Sequence, residues 1–150
     1  RHFPNRDALL KKISDDNFQA IARDMQACME QPDILSRLQA LVNPYLDYAL
    51  EHPHLFDYAF AVQREDARRF PDDFRARKSP SFNISVDAIA EGMRQGVLKQ
   101  GDPYAVCMTV TAHQHGLIAL YRAGRFSYDE KQFRRFYLES LGRMIDGLKK

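Results

Sequence analysis

Histidine and cysteine are the side chains in this sequence best equipped for chemistry, and their spacing limits what they can do. His113 and His115 stand two apart in a stretch of helical periodicity. At roughly 3.6 residues per turn their rings point about 200° from each other, so they cannot chelate one ion together. One of the pair is expected to face a partner helix or a cavity and the other to be a satisfied core or surface histidine. His52 and His54 flank Pro53 at a helix start, where a structural or solvent-facing role is expected. Cys28 and Cys107 fall at stripe positions of different helices and read as small buried hydrophobes. No metal or cofactor is expected. The hydrolase elbow Gly-x-Ser-x-Gly, the phosphate loop Gly-x-x-x-x-Gly-Lys, the dinucleotide signature Gly-x-Gly-x-x-Gly and the zinc motif His-Glu-x-x-His are all missing from the chain. The reading is therefore not an enzyme.

The aromatic residues are more suggestive. Ten Phe and seven Tyr are distributed over helices that must surround one core. Most are packing, and a minority are candidates to line a ligand cavity between helices: Tyr45, Tyr48, Phe56, Phe60 and Met93, with Thr111, His113 and Tyr48 as polar contacts. Ordinary packing is the alternative for each. From Gln63 to Lys78 six basic residues interleave with four acidic ones without regular aromatic spacing, which suits a solvated face or lid better than a nucleic-acid patch.

The elements that must position these residues are helices. Between the Gly and Pro marks the apolar residues recur at three and four, with little two-residue alternation. A first helix opens after Pro4 with Asn5 as N-cap and runs to about Glu30; a second runs from Asp33 to about Glu51, with a kink expected near 40–44 because Pro44 removes one backbone bond. A short third follows His52-Pro53, and residues 63–78 are expected to be the mobile stretch. A fourth spans about Phe82 to Leu98. The fifth starts on Asp102 with Pro103 at its first position and ends near Ala123-Gly124, and a capping box of Ser127 and Glu130 is expected to open the last. The fold class is all-α, an antiparallel bundle of about six helices.

The composition agrees. A chain of 150 residues, 45% hydrophobic and 28% charged, is of one-domain size, and its 22 basic against 20 acidic residues leave a net charge of only +2. That balance argues against a dedicated nucleic-acid surface on this stretch. Unpaired thiols fit a reducing cytosol, so a cytoplasmic protein is expected. Pro103 to Tyr121 carries no Asp, Glu, Lys or Arg, yet Thr109, Thr111, His113, Gln114 and His115 sit in its middle, so a helix buried by protein is expected and no membrane partner. Starting at Arg1 without Met or leader, the sequence reads as a fragment.

The opening Arg1-His2-Phe3-Pro4-Asn5-Arg6-Asp7-Ala8-Leu9-Leu10 resembles the end of the DNA-binding domain in the TetR (tetracycline-repressor-like) family, where a Tyr-x-His-Phe phrase closes the recognition helix and a Lys leads into a connecting helix. Arg6 stands where that Lys is usual. Leu50-Glu51-His52-Pro53 resembles the close of a ligand-domain helix in the same family. Gly96-Val97-Leu98, Gly101-Asp102-Pro103, His115-Gly116-Leu117 and Leu120 resemble a subgroup named for a Trp-His-Gly motif, with Gln114 where the Trp would be.

The resemblance implies that residues 1–5 are the remnant of a helix-turn-helix domain and 6–150 a C-terminal ligand-binding and dimerisation domain. It implies that His2 and Arg6 contact DNA phosphates; packing of His2 beside Phe3 and plain exposure of Arg6 are the alternatives. It implies a homodimer in which the last two helices of each copy form a four-helix interface. The stripes offered are Val106, Val110, His113, Leu117, Leu120 and Tyr121 on the fifth helix and Phe133, Tyr137, Leu141, Met144 and Leu148 on the sixth; burial of both inside one chain is the alternative. The implied function is a ligand-responsive transcriptional regulator of the repressor type, with operator DNA and a small-molecule effector as partners. A helical dimeric interaction module, or a small enzyme using a histidine such as His113 as base, is the rival without a DNA role.

Overall fold

The structure is a computed structural model that describes residues 3–60 and 63–150. Among the described residues it is built of seven helices and no sheet: α1 (Arg6–Cys28), α2 (Ile34–Glu51), α3 (Pro53–Phe60), α4 (Asp72–Arg75), α5 (Pro80–Arg94), α6 (Pro103–Arg122) and α7 (Glu130–Leu148). The seventh element is the short α4, inside the charged stretch. None of the helices is long and apolar enough to cross a membrane.

The caps explain the starts. Short polar side chains accept the free N–H groups of each first turn: Asn5 from Ala8 and Asp33 from Ser36, both at 2.8 Å, and Asp102 from Tyr104 at 3.0 Å, ahead of Pro103. α5 begins earlier than the apolar pattern predicts, because Ser79 caps it and Pro80 pre-sets its first turn. The last helix starts on a different box from the one expected. Asp129 accepts from the Gln132 N–H at 2.8 Å while Gln132 accepts from the Asp129 N–H at 3.0 Å, the same reciprocal arrangement two residues further on. That shift leaves Phe126 and Tyr128 outside the helix, lying against Phe136 at ring separations of 5.6 and 5.9 Å. α2 runs unbroken through Pro44. The Ala40 carbonyl, which a proline nitrogen cannot serve, takes a long 3.4 Å bond from the Asn43 side chain instead.

Three of the helix ends share a device. Gly96 and Gly124 stop α5 and α6 in the left-handed conformation at φ 73° and 71°. α4 ends the same way, but with Arg77 at φ 61°, where a Cβ is disfavoured. Arg77 is held there by two bonds to the Asp87 carboxylate of α5, 3.0 and 2.8 Å long. Arg75 pairs with Asp102, the cap of α6, and lies 5.0 Å over the Tyr104 ring. Rings continue the join, with Phe74 4.6 Å from Phe82. Phe74, Arg75 and Arg77 of the charged stretch are thereby joined to α5 and to the start of α6.

α2 is the hub, packed on α1, α3, α5, α6 and α7. Its position accounts for eight buried residues in 18. Leu46, Ile118, Phe133, Tyr137 and Leu141 have no exposed surface at all, so the centre of the core lies where α7 crosses α2 and α6. The α5–α6 turn and the C-terminus are tied by Lys99 N–H to Leu148 at 2.8 Å and Lys150 N–H to Val97 at 3.0 Å.

Candidate functional site

Four of the seven candidate pocket residues come together. Tyr45 and Tyr48 of α2 meet Phe56 and Phe60 of α3, with ring centres 6.0 Å apart for Tyr45–Phe56, 5.6 Å for Tyr45–Phe60 and 5.1 Å for Phe56–Phe60. Two rings not assigned to the pocket from sequence complete the cluster. Phe18 of α1 lies 5.6 Å from both Tyr48 and Phe60, and His115 of α6 stacks on Phe56 at 5.3 Å. The Tyr45 hydroxyl shares a 3.0 Å hydrogen bond with His115 Nδ1. Burial lowers the pKa of His115, since charge is poorly solvated there, and burial likewise raises that of Tyr45. A neutral imidazole and a neutral phenol are thus matched. The one loose end is the buried Tyr48 hydroxyl, which has no hydrogen-bond partner of good geometry; beside it is Ser14 of α1, itself 3% exposed. The rings otherwise fill the space themselves.

The remaining three pocket candidates lie elsewhere. Met93 sits at the end of α5, its carbonyl accepting from the Gln100 amide at 2.6 Å. Thr111 lines a cavity of about 30 Å³ with Val42, Ser85, Cys107 and Gln114, room for a water rather than an effector. Burial pushes the Cys107 thiol up to about 12, so it stays protonated there. His113 turns to α7 and shares a 2.8 Å hydrogen bond with Ser140 Oγ. The two neighbouring histidines thus serve different helices, as their angular separation requires.

Gln114, in the place of the motif Trp, is buried and ties three helices. Its amide donates to the Tyr137 hydroxyl of α7 at 2.8 Å and, over 3.4 Å, to the Val42 carbonyl of α2; Tyr137 in turn donates to that carbonyl at 3.2 Å. No sequence signal marked this knot, because each partner lies in a different helix.

The expected interface residues divide. On α7, Phe133, Tyr137 and Leu141 are wholly enclosed within the single chain and have no side-chain surface left for a partner. The physical reason is that α7 lies over both α2 and α6, so its apolar stripe is consumed internally. Tyr121 is stacked on Phe133 at 4.1 Å in the same layer. Val110, His113, Leu117 and Met144 are half-buried, and Leu120 is 48% exposed. Beside Leu120 the outward side of α6 is a run of small residues, Ala105, Thr109, Ala112 and Ala119, all exposed, with Gly116 among them. Arg6 is exposed at the first position of α1, and His2 lies outside the described residues.

A cleft of about 360 Å³ opens between α1 and the charged stretch, floored by Ser14 and Phe18 and walled by Lys11, Asp15, Arg64 and Arg68 among others. Its floor is the outer side of the aromatic cluster.

The chain is all-α, with a long leading helix packed on a hub helix and a pair of long closing helices. The family description "Tetracyclin repressor-like, C-terminal domain" matches residues 38–146, and the chain belongs to that family. A protein of unknown function from Rhodococcus sp. RHA1 is 21% identical with a TM-score of 0.75, the match covering 99% of this chain and 77% of that one. The "putative regulatory protein SCO4313" is also 21% identical, with a TM-score of 0.58 over 93% of this chain and 74% of its own. These likenesses show a shared fold. No curated protein matches.

Proposed function

We propose that the chain is the effector-binding and dimerisation part, residues 6–150, of a TetR-type transcriptional repressor released by a small molecule. The observation that carries this reading is the seating of α1. Its second half is held by Ile21 and Met25, 5% and 7% exposed, whereas its first turns leave Leu9 and Ile13 40% and 37% exposed. Such a helix has a fixed end and a free end, and anything that binds along it biases its tilt. Arg6 stands at the free end, and the function assigned to it and to His2 is contact with DNA phosphates; residues 1–5 belong to the reading head. Tilting α1 changes the separation of two heads in a dimer, which must match major grooves about 34–36 Å apart. A coupling of about 1–3 kcal/mol lowers operator affinity 5- to 150-fold. The second copy is seated on the exposed small-residue side of α6, with Leu120 and Gly116, rather than on the α7 stripe. The protein acts in the cytoplasm, and no catalytic step is assigned to it.

Native mass spectrometry of the purified chain tests both parts at once. A dimer carrying a small molecule, or binding one from a metabolite mixture, is the expected result. A monomer at all concentrations removes the interface, and a dimer that takes up no small molecule removes the effector.

A further inference from the structure

We infer that the charged stretch is a clasp for α1: its Glu65 and Arg68 cross the cleft to pair with Lys11 and Asp15, and so fix the free half of that helix. The clasp itself needs no ligand. Only its bearing on the reading heads rests on the function proposed above.

The charge pattern of the cleft carries the inference. Four acidic and four basic residues line it, so it favours no ion of one sign and its charges are matched to each other. Their present pairing leaves two out. Lys11 and Asp15, from successive turns of α1, bond each other at 2.7 Å with side chains 51% and 49% exposed. On the opposite wall Arg64 holds Asp66 at 3.0 Å and Lys78 holds Asp73 at 3.2 Å. Glu65 and Arg68 remain, one acid and one base, both exposed and without an ion-pair partner among the described residues. A free anion and a free cation on one wall thus stand across from a cation and an anion on the other. An exposed pair such as Lys11–Asp15 contributes little, because water solvates both ends and two long side chains give up rotamer freedom to hold it, so sharing it costs little. Closure turns that one pair into a four-charge chain, Glu65–Lys11–Asp15–Arg68, in which each free charge gains a partner.

The backbone allows the movement. Residues 65–70 lie between two fixed points. On one side the Arg64 guanidinium lies 4.7 Å over the Tyr58 ring of α3, and on the other Phe74 packs on Phe82 of α5. Between them, among the described residues, the stretch bonds only to itself: the Ala67 N–H to the Arg64 carbonyl at 3.2 Å and the Arg69 N–H to the Asp73 carboxylate at 2.8 Å. A segment held at both ends and tied to no helix in its middle shifts as a flap at little cost. Ala67 and the half-buried Phe18 ring line the same gap, so closing it also covers apolar surface. Further along, the stretch is joined to α5 through Arg77–Asp87 and to α6 through Arg75–Asp102. The closed clasp therefore links the free half of α1 to the body of the domain.

Zero-length cross-linking of the whole chain with a carbodiimide tests the clasp, since the reagent condenses a lysine amine with a carboxylate to an amide only where the two touch. Lys12–Asp16, 2.6 Å apart on α1, serves as the internal standard. At low salt a Lys11–Glu65 amide is expected by mass spectrometry of the digested chain. In about 1 M NaCl, where charges are screened beyond about 3 Å, its yield relative to the standard is expected to fall at least about threefold. Arg68→Gln, a change at an exposed position, is expected to lower the low-salt yield about threefold. Absence of the Lys11–Glu65 product while the standard forms, or a yield indifferent to salt or to Arg68→Gln, overturns the clasp. A chain that forms the product yet takes up no small molecule keeps the clasp and loses the effector reading.

Discussion

Helices α6 and α7 are nearly equal in length, 20 and 19 residues, and close the chain as a pair, yet they use their apolar residues in opposite ways. α7 is the more polar in composition but buries Phe133, Tyr137, Ser140, Leu141 and Ile145 in a continuous line, because α2 and α6 lie beneath it. α6 has no charged residue from Pro103 to Tyr121 and buries only Cys107, Gln114 and Ile118. Its remaining apolar surface is half-covered or open. A strong amphipathic stripe marks a helix whose partners are within the chain. A helix with small residues all along its open side is free to meet a second copy closely.

Substitutions on the two helices are expected to have unequal effects. The largest effect is expected on α7, where Phe133→Ala removes a fully enclosed ring and costs about 3–5 kcal/mol, read as a lower denaturant midpoint. If the midpoint holds and only the oligomer mass falls, the α7 stripe belongs to the interface after all. Tyr137→Phe comes next. It strips Gln114 of its closer acceptor and Val42 of a donor, at about 1–3 kcal/mol, and Gln114→Leu in the same chain recovers part of the loss because the under-satisfied amide is then gone.

The third effect is pH-dependent and belongs to α6. The folded pKa of His115 is held below 6.5 by burial, so the unfolded chain binds the proton more readily. Its contribution to stability is full above pH 6.5 and is lost as the pH falls below that toward the lower folded value. Denaturation profiles at several pH values should show this slope, and His115→Gln should flatten it. The smallest stability change, within about 0.5 kcal/mol, is expected from Leu120→Arg on the open side of α6. The same substitution is nevertheless expected to reduce the light-scattering mass to that of one chain, 17.4 kDa. An unchanged dimer would remove this face from the interface.

A second contrast separates the aromatic cluster from the cleft beside it. Both are legible in the sequence as residue types, but neither as geometry. Tyr45, Tyr48, Phe56 and Phe60 are brought together as proposed, and they then fill the space, with His115 and Phe18 sealing it. Residues 63–78, expected to be a solvated face or lid, are mostly exposed, and seven of them line an open volume beside α1.

Local physics along the chain was enough to determine the helical class, the caps at Asn5 and Asp102, the start near Asp33 and the stop at Gly124, because each depends on residues within a few positions of one another, whereas α5, expected to reach Leu98, stops at Arg94 ahead of Gly96. The capping box of α7 was misplaced by two residues, since Ser127–Glu130 and Asp129–Gln132 offer the same local chemistry and only the packing of Phe126 and Tyr128 chooses between them. What α6 and α7 turn inward, where the Gln114 amide finds its partners, and that Arg77 is held in a glycine conformation by Asp87 were decided by tertiary structure alone. Periodicity tells how apolar a helix face is, but it carries no information about which neighbour covers it.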